Sequence, residues 1–299
     1  MMAYNWLNVY SAPPIIAYSL SFIALLIGSI TDLKTREVPD WLNYGLIISG
    51  ISLNMLFSAI YSDSSFAINS IVGLLILFGI AYIMFYAGQW GGGDSKMLMG
   101  LGAMIGVDVG FEAPQFLAGF FINALFAGAI YVLSWSIFLA IKNKGKFVNE
   151  IRKILSIKKI ILIKKITIFI VALGIIFSLL APLFFVKLLM LSFALIIALT
   201  FYLWVFVKAI EKSAMYKLVE PSRLTEGDWI VKDIYVNNQY ICGPKDLGIE
   251  KKQIKKLIEF YRKGKVKKIL IKEGIPFVPS FFIAFVVTFV IGNPMMFLL

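Results

Sequence analysis

The sequence predicts an all-α polytopic membrane protein of about eight transmembrane helices, carrying a small cytoplasmic α+β insert. Three observations lead there. Of the 299 residues, 60% are hydrophobic and only 15% charged, and the mean hydropathy is +0.87; that leaves too little polar surface to clothe a soluble globule. The apolar residues gather in runs near the ~20 residues a helix needs to cross the hydrocarbon. The basic residues fall in alternate connections, as they do in loops kept on the cytoplasmic side.

Eight apolar segments are read: Pro14–Thr31, Trp41–Tyr61, Phe66–Ala87, Met97–Val107, Gln115–Ile141, Ile166–Val186, Leu188–Val207 and Phe277–Phe297. The first is no cleavable signal peptide, because it lacks a basic start and no small-residue cleavage site follows it. The fourth is short, and is expected to tilt or to begin in a water-accessible cleft. No Lys or Arg precedes Lys34; Asp32–Asp40 holds two, Lys142–Lys165 nine and Lys208–Lys272 sixteen. With Lys96 these make 28 of the 29 basic residues on one face, and only Lys187 falls on the other. The bias names that face cytoplasmic and puts both termini outside.

The resulting division is a membrane core over 1–141, a basic connector over 142–165, a transmembrane hairpin over 166–210, an α+β insert over 211–275 and a final transmembrane helix over 276–299. The connector reads as an amphipathic surface helix resting on anionic lipid head groups. In the insert, "DWIVKDIYV" alternates like a strand and "QYICG" can pair with it. Ile254, Leu257, Ile258 and Tyr261 share a helical face, and "VKKILIKEG" reads as a further strand. The insert carries neither a phosphate loop nor metal-ligand spacing.

Histidine is absent and Cys242 is the one cysteine. That excludes a Ser-His-Asp triad, a Cys-His dyad, a His-ligated zinc and a disulfide within this chain. No metal or organic cofactor is implied. Acids are scarce among the first five spans, so Asp32, closing the first, and Asp94, between the third and fourth, stand out. An acid at membrane depth is a functional candidate by default. Structural roles also fit: Asp94 as an N-cap, Asp32 as an interfacial acid beside Lys34 and Arg36, Asp40 as an N-cap after Pro39. Gly91, Gly92 and Gly93, however, give a neighbouring backbone room to approach, which a cap does not need. Two carboxylates can hydrolyse a peptide without metal, His or Cys. One, ionised, activates water, and the other, neutral, protonates the carbonyl oxygen. Lys96 is a candidate to tune Asp94, or a snorkelling interface lysine. Glu37 is a candidate contact for a basic substrate, or a solvated loop charge.

These motifs resemble a known family. "GGGD" at Gly91–Asp94 is similar to the GxGD signature of intramembrane aspartic proteases. "DLKTREVPD" from Asp32 resembles the companion motif of type IV prepilin peptidases, in particular the archaeal prepilin and preflagellin (archaellin) branch. The resemblance covers about Ile15–Ile141. It implies Asp32 and Asp94 as the catalytic pair, with Gly91, Gly92 and Gly93 along the substrate approach. It further implies signal-peptide cleavage: a basic class III leader cut at the cytoplasmic membrane surface from proteins of type IV pili or the archaellum. "GIPFVPSFFIAF" resembles the start of the final helix in that family, where Pro276 and Pro279 open the helix near the site. No cysteine-bearing methyltransferase domain is present, so peptidase activity alone is expected, with no nucleic-acid partner.

Three other readings remain open at this point. A presenilin-like protease shares GxGD, but its partner acid lies one span earlier and a Pro-Ala-Leu motif follows; neither holds here. A transporter would use Asp32 and Asp94 as ion-site carboxylates. A Ser-Lys peptidase would use Ser95 or Ser29 with Lys96.

Overall fold

A computed structural model describes residues 12–109 and 116–292. Their contacts form two units: the described residues up to Ser134 together with those from Gly274 onward, and Trp135–Glu273. The protein is mostly helical, as the hydropathy predicts.

The first unit is a helical bundle of α1 (Ala12–Thr35), α2 (Asp40–Tyr61), α3 (Ser65–Tyr86), α4 (Gly92–Ile105), the first part of α5 (Phe116–Lys142) and α10 (Val278–Ile291). Its core is filled by side chains such as Leu25, Met97, Leu98, Leu101, Phe120 and Phe281, all fully buried. Large apolar side chains on the outside, Trp41 and Ile83 among them, are left exposed. Polar solvent would penalise that surface, whereas lipid does not.

Helix α4 explains the short fourth segment. Its 14 residues rise only about 21 Å, against about 30 Å of hydrocarbon. It is enclosed by neighbours rather than exposed, so its end groups must find partners inside the protein. Asn54 Nδ2 of α2 donates to the carbonyls of Ala103 and Met104, each at 3.2 Å. Ser70 Oγ of α3 donates to the Ala103 carbonyl at 2.5 Å, and the Val107 N–H donates to the Asn69 carbonyl at 2.9 Å. Glycine makes the close fit possible. A Cβ on Gly102 would collide with the Gly73 carbonyl of α3, and one on Gly50 would lie 2.7 Å from the Met104 nitrogen.

Among the described residues, six helices are long and apolar enough to cross a membrane: α1, α2, α3, α5 and the two helices beginning at Lys158 and Phe184. The other two expected segments correspond to α4 and to α10, a shorter apolar helix. Residues 293–297 of the last expected span, Gln115 of the fifth and both chain ends lie outside the described residues.

The second unit holds α6 (Lys144–Ser156), α7 (Lys158–Leu180), α8 (Phe184–Ile210) and the insert. Helix α6 is amphipathic, as expected of the connector. Its apolar face, Phe147, Ile151, Ile154 and Leu155, is covered by Phe201, Val205 and Ala209 of α8 rather than left open for lipid. Helix α7 starts at Lys158, eight residues before the expected span at Ile166. Lys158, Lys159, Lys164 and Lys165 thus sit in its first turns, where long side chains can carry their charge outward. A π-helical turn, Glu211–Met215, joins α8 to the insert. Glu211 is buried there between Lys208 at 2.8 Å and Lys272 at 2.7 Å.

The insert is α+β. Its main sheet is antiparallel in the order β1 (Tyr216–Val219), β5 (Ile269–Lys272), β2 (Trp229–Ile230). A separate hairpin pairs β3 (Ile234–Val236) with β4 (Gln239–Cys242). The stretch read as one strand, "DWIVKDIYV", is therefore split between two sheets, bending at Val231–Asp233. Asn237 and Asn238 make the hairpin turn with φ of 52° and 61°, a conformation asparagine tolerates well. Helix α9 (Lys251–Arg262) buries Leu257 completely, with Ile254, Ile258 and Tyr261 partly covered.

Gly102→Ala should cost about 1–3 kcal/mol, because backbone meets backbone and nothing flexible can yield. Thermal unfolding in detergent should show a lowered midpoint. Gly79→Ala, where an added Cβ meets nothing within 4 Å, should show no loss. Burial, with a smaller contribution from Asp246, pushes the Cys242 thiol up to about 11. The folded chain should therefore resist maleimide at pH 8 and label only on unfolding. The folded value lies above the ordinary 9.0, so this stabilisation is present below that pH and fades as pH climbs toward about 11.

Candidate active site

Asp32 lies in the last turn of α1, only 5% exposed. That end of a helix is the wrong place for a negative charge, since its free carbonyls repel it. The compensation comes from α10. Val278 N–H, at the first turn of that helix, donates to Asp32 Oδ2 at 3.0 Å, and the Phe277 N–H adds to it. Both are amides with no partner inside their own helix. Pro279, in the first turn of α10, lacks an N–H that would have been free there anyway. Of the two prolines expected to open the last helix, Pro279 lies in its first turn and Pro276 precedes its cap residue, Phe277.

Asp94 is placed by the turn after α3. Gly88 takes φ 66°, and the N–H groups of Gln89 and Trp90 donate back to the Met84 carbonyl at 2.9 and 3.3 Å. Chain direction reverses there, and α4 begins. Gly91 is the residue capping α4, so Asp94 is not its N-cap but the third residue of the helix. Its Oδ2 accepts the Gly91 N–H at 3.0 Å, the backward-reaching half of a capping box. Asp94 is half-buried and lies within electrostatic reach of Asp32.

The glycine run works through space rather than through unusual backbone. None of Gly91, Gly92 and Gly93 has a positive φ. A Cβ on Gly93 would sit 3.2 Å from Val38 Cβ, so this glycine lets the loop after Asp32 lie against the start of α4. A Cβ on Gly92 would meet only the Phe85 ring at 3.9 Å. Gly91 is exposed.

Lys96 turns to Asp40, not to Asp94. The ion pair is 2.6 Å long, and the ammonium also lies 5.0 Å from the Tyr44 ring centre. Asp40 is the first residue of α2, and Pro39 takes the cap position expected for it. With side chains 32% and 66% exposed, the pair contributes at most about 1 kcal/mol. Glu37 is exposed in the α1–α2 loop. Ser95 is buried, its hydroxyl 3.5 Å from the Ala81 carbonyl.

Arg36, read from the sequence as a neighbour of Asp32, does act on it electrostatically. Sequence reasoning missed two contributors, and one of them, Tyr131 of α5, feels the Asp32 charge. Trp90 is buried beside Phe277 and Phe281. Its place next to the glycine run was the one available signal. Chemically, the arrangement offers two carboxylates with amide donors. Among the described residues, no group of three or more acidic, thiol or imidazole side chains is gathered for a metal.

Residues 19–133 match the family model of the type IV leader peptidase family. The segment holds both aspartates and the whole glycine run. Over 90 residues the chain is 43% identical to a preflagellin peptidase of Methanocaldococcus jannaschii, 41% to one of Methanococcus voltae and 40% to one of Methanococcus maripaludis. Each alignment covers 30% of this chain, and the chain spans 38–39% of the length of these relatives. No solved structure matches. Over this part of its length the chain is similar to leader peptidases.

Gly93→Ala should lower the unfolding midpoint by more than Gly92→Ala, with a cost of about 1 kcal/mol or more from overpacking. Val38→Ala in the same chain should recover part of it, giving a coupling measurable by a double-mutant cycle. Additive effects would mean that the two loops do not touch.

Proposed function

We propose that this chain is a membrane aspartic endopeptidase that removes the basic leader from prepilin or preflagellin substrates. One observation carries the reading. Asp32 and Asp94, from separate helices, are close enough for their charges to interact, inside the segment similar to leader peptidases. The reaction needs one carboxylate ionised and the other neutral. The ionised group takes a proton from water as the oxygen attacks the scissile carbonyl. The neutral group gives its proton to the carbonyl oxygen. As the tetrahedral diol collapses, the carboxyl that took water's proton gives it to the leaving nitrogen, the other carboxylate takes back the proton of the diol hydroxyl, and the pair returns to its starting charge.

In this reading the chain crosses the membrane eight times, with α4 and α10 as the two short crossings. The basic connections and the α+β insert face the cytoplasm, as the charge bias supports. The carboxylates then sit at the cytoplasmic surface, where water and a leader can both reach them. Gly91, Gly92 and Gly93 leave room for an extended substrate. Glu37, exposed beside Asp32's loop, is suited to a basic leader. Lys96 acts through its pairing with Asp40. The outward basic face of α6 rests on anionic lipid head groups.

The test uses tagged prepilin-like and preflagellin substrates with the full-length chain in membranes. Wild type should cut at the leader boundary. Asp32→Asn and Asp94→Asn, which keep shape but cannot exchange the proton, should each lose roughly 10²–10⁴-fold or more in rate. Near-wild-type cleavage by either variant would refute the pair.

A further inference from the structure

We propose that Trp90 is a positioning residue for the carboxylate pair: its indole holds the first turn of α10, and through it the amide that holds Asp32, in fixed register with the loop that carries Asp94. The inference rests on the endopeptidase reading above and goes beyond it, since neither the glycine motif nor the Asp32 motif contains this residue.

The contacts run without a break from one aspartate to the other. Trp90 immediately precedes Gly91, whose N–H binds Asp94. The indole is 5% exposed. It lies 5.8 Å from the Phe277 ring and 5.4 Å from the Phe281 ring, the latter edge-on at 89°. Phe277 and Phe281 are themselves 5.2 Å apart and nearly perpendicular. On another side, Phe277 fills the space left by Gly128 of α5, where a Cβ would come within 3.0 Å of the ring. The next residue along the chain is Val278, whose N–H reaches Asp32 Oδ2 at 3.0 Å. Phe277 is thus gripped by Trp90 and by α5 directly beside the donated amide.

Aromatic packing of this kind also stabilises any core, by about 0.5–1.5 kcal/mol per pair. The location separates the two roles. These rings do not merely fill the bundle; they fix the end of α10 that must meet a carboxylate. A hydrogen bond of 3.0 Å does not survive a shift of an ångström, and misplacements of that size cost about 10²-fold in catalysis. The other groups facing Asp32 are Arg36 on its own segment, Asp94 of α4 and Tyr131 of α5. None of them would be altered directly by a change at Trp90.

The experiment compares wild type, Trp90→Leu, Trp90→Phe and Leu77→Ala in reconstituted full-length protein. Leu77 is a buried core residue of α3 and serves as a destabilised control. Cleavage of a prepilin-like substrate is followed for kcat, KM and the pH–rate profile, alongside the unfolding midpoint. Trp90→Leu should lose about 10–100-fold in kcat, keep KM within about twofold, and move the pH–rate profile. Trp90→Phe, which keeps an aromatic wedge, should recover most of the rate. Leu77→Ala should lose stability without moving the profile. The proposal is overturned if Trp90→Leu keeps the wild-type kcat and profile, or if Leu77→Ala reproduces its kinetic defect at equal stability. Cleavage that persists in Asp94→Asn, or is missing in wild type, would instead remove the endopeptidase reading and this inference with it.

Discussion

The site depends on one hydrogen bond between residues 246 positions apart, from the Val278 N–H to the Asp32 carboxylate. Asp32 is buried at the carbonyl end of its own helix, where both desolvation and the helix dipole oppose a negative charge. The first turn of α10 supplies what is missing, amides that point outward with no partner of their own. Two facts about the C-terminal segment follow from that constraint. A proline occupies the first turn, where the helix does not need its N–H. The aromatic side chains at its start are wedged between Trp90 and Gly128, so the amide cannot drift.

The second constraint is the enclosure of α4. A helix too short to span the hydrocarbon by about 9 Å cannot leave its ends in lipid. Asn54, Ser70 and Asn69 receive its C-terminal region, while glycine against glycine lets α3 and α4 meet backbone to backbone. At the other end the helix begins on the glycine run and carries Asp94 on its third residue. The same shortness that looked irregular in the hydropathy pattern brings an acid to a helix start inside the bundle. The similarity to leader peptidases covers this part of the chain, where the packing is most exacting.

Much of this was legible in the sequence. Apolar run length gave the long helices, and the scarcity of acids singled out Asp32 and Asp94. The resemblance of their flanking motifs paired them, and Pro276 and Pro279 pointed to the start of α10. Other parts were not legible, for physical reasons. Whether Asp94 caps α4 or reaches back from its third residue depends on where the helix starts, and a glycine run blurs that boundary. Lys96 lies two residues from Asp94 in sequence, yet its partner, Asp40, is 56 positions away, because on a helix i and i+2 do not face each other. The "DWIVKDIYV" stretch reads as one strand, but its sequence pattern does not reveal that its halves pair in different sheets. Trp90 adjoins the glycine run and Phe277 opens the last apolar segment, but no sequence pattern joins them to each other or to Gly128; only tertiary packing does.

The central claim is that Asp32 and Asp94 act together, one ionised and one protonated. It is tested most directly by the pH dependence of kcat/KM for leader cleavage by reconstituted wild-type protein. The account predicts a bell: activity falls on the acid side as the base is protonated and on the alkaline side as the acid loses its proton. A rate that rises to a plateau and stays there through alkaline pH would show that one carboxylate suffices, and would contradict the account.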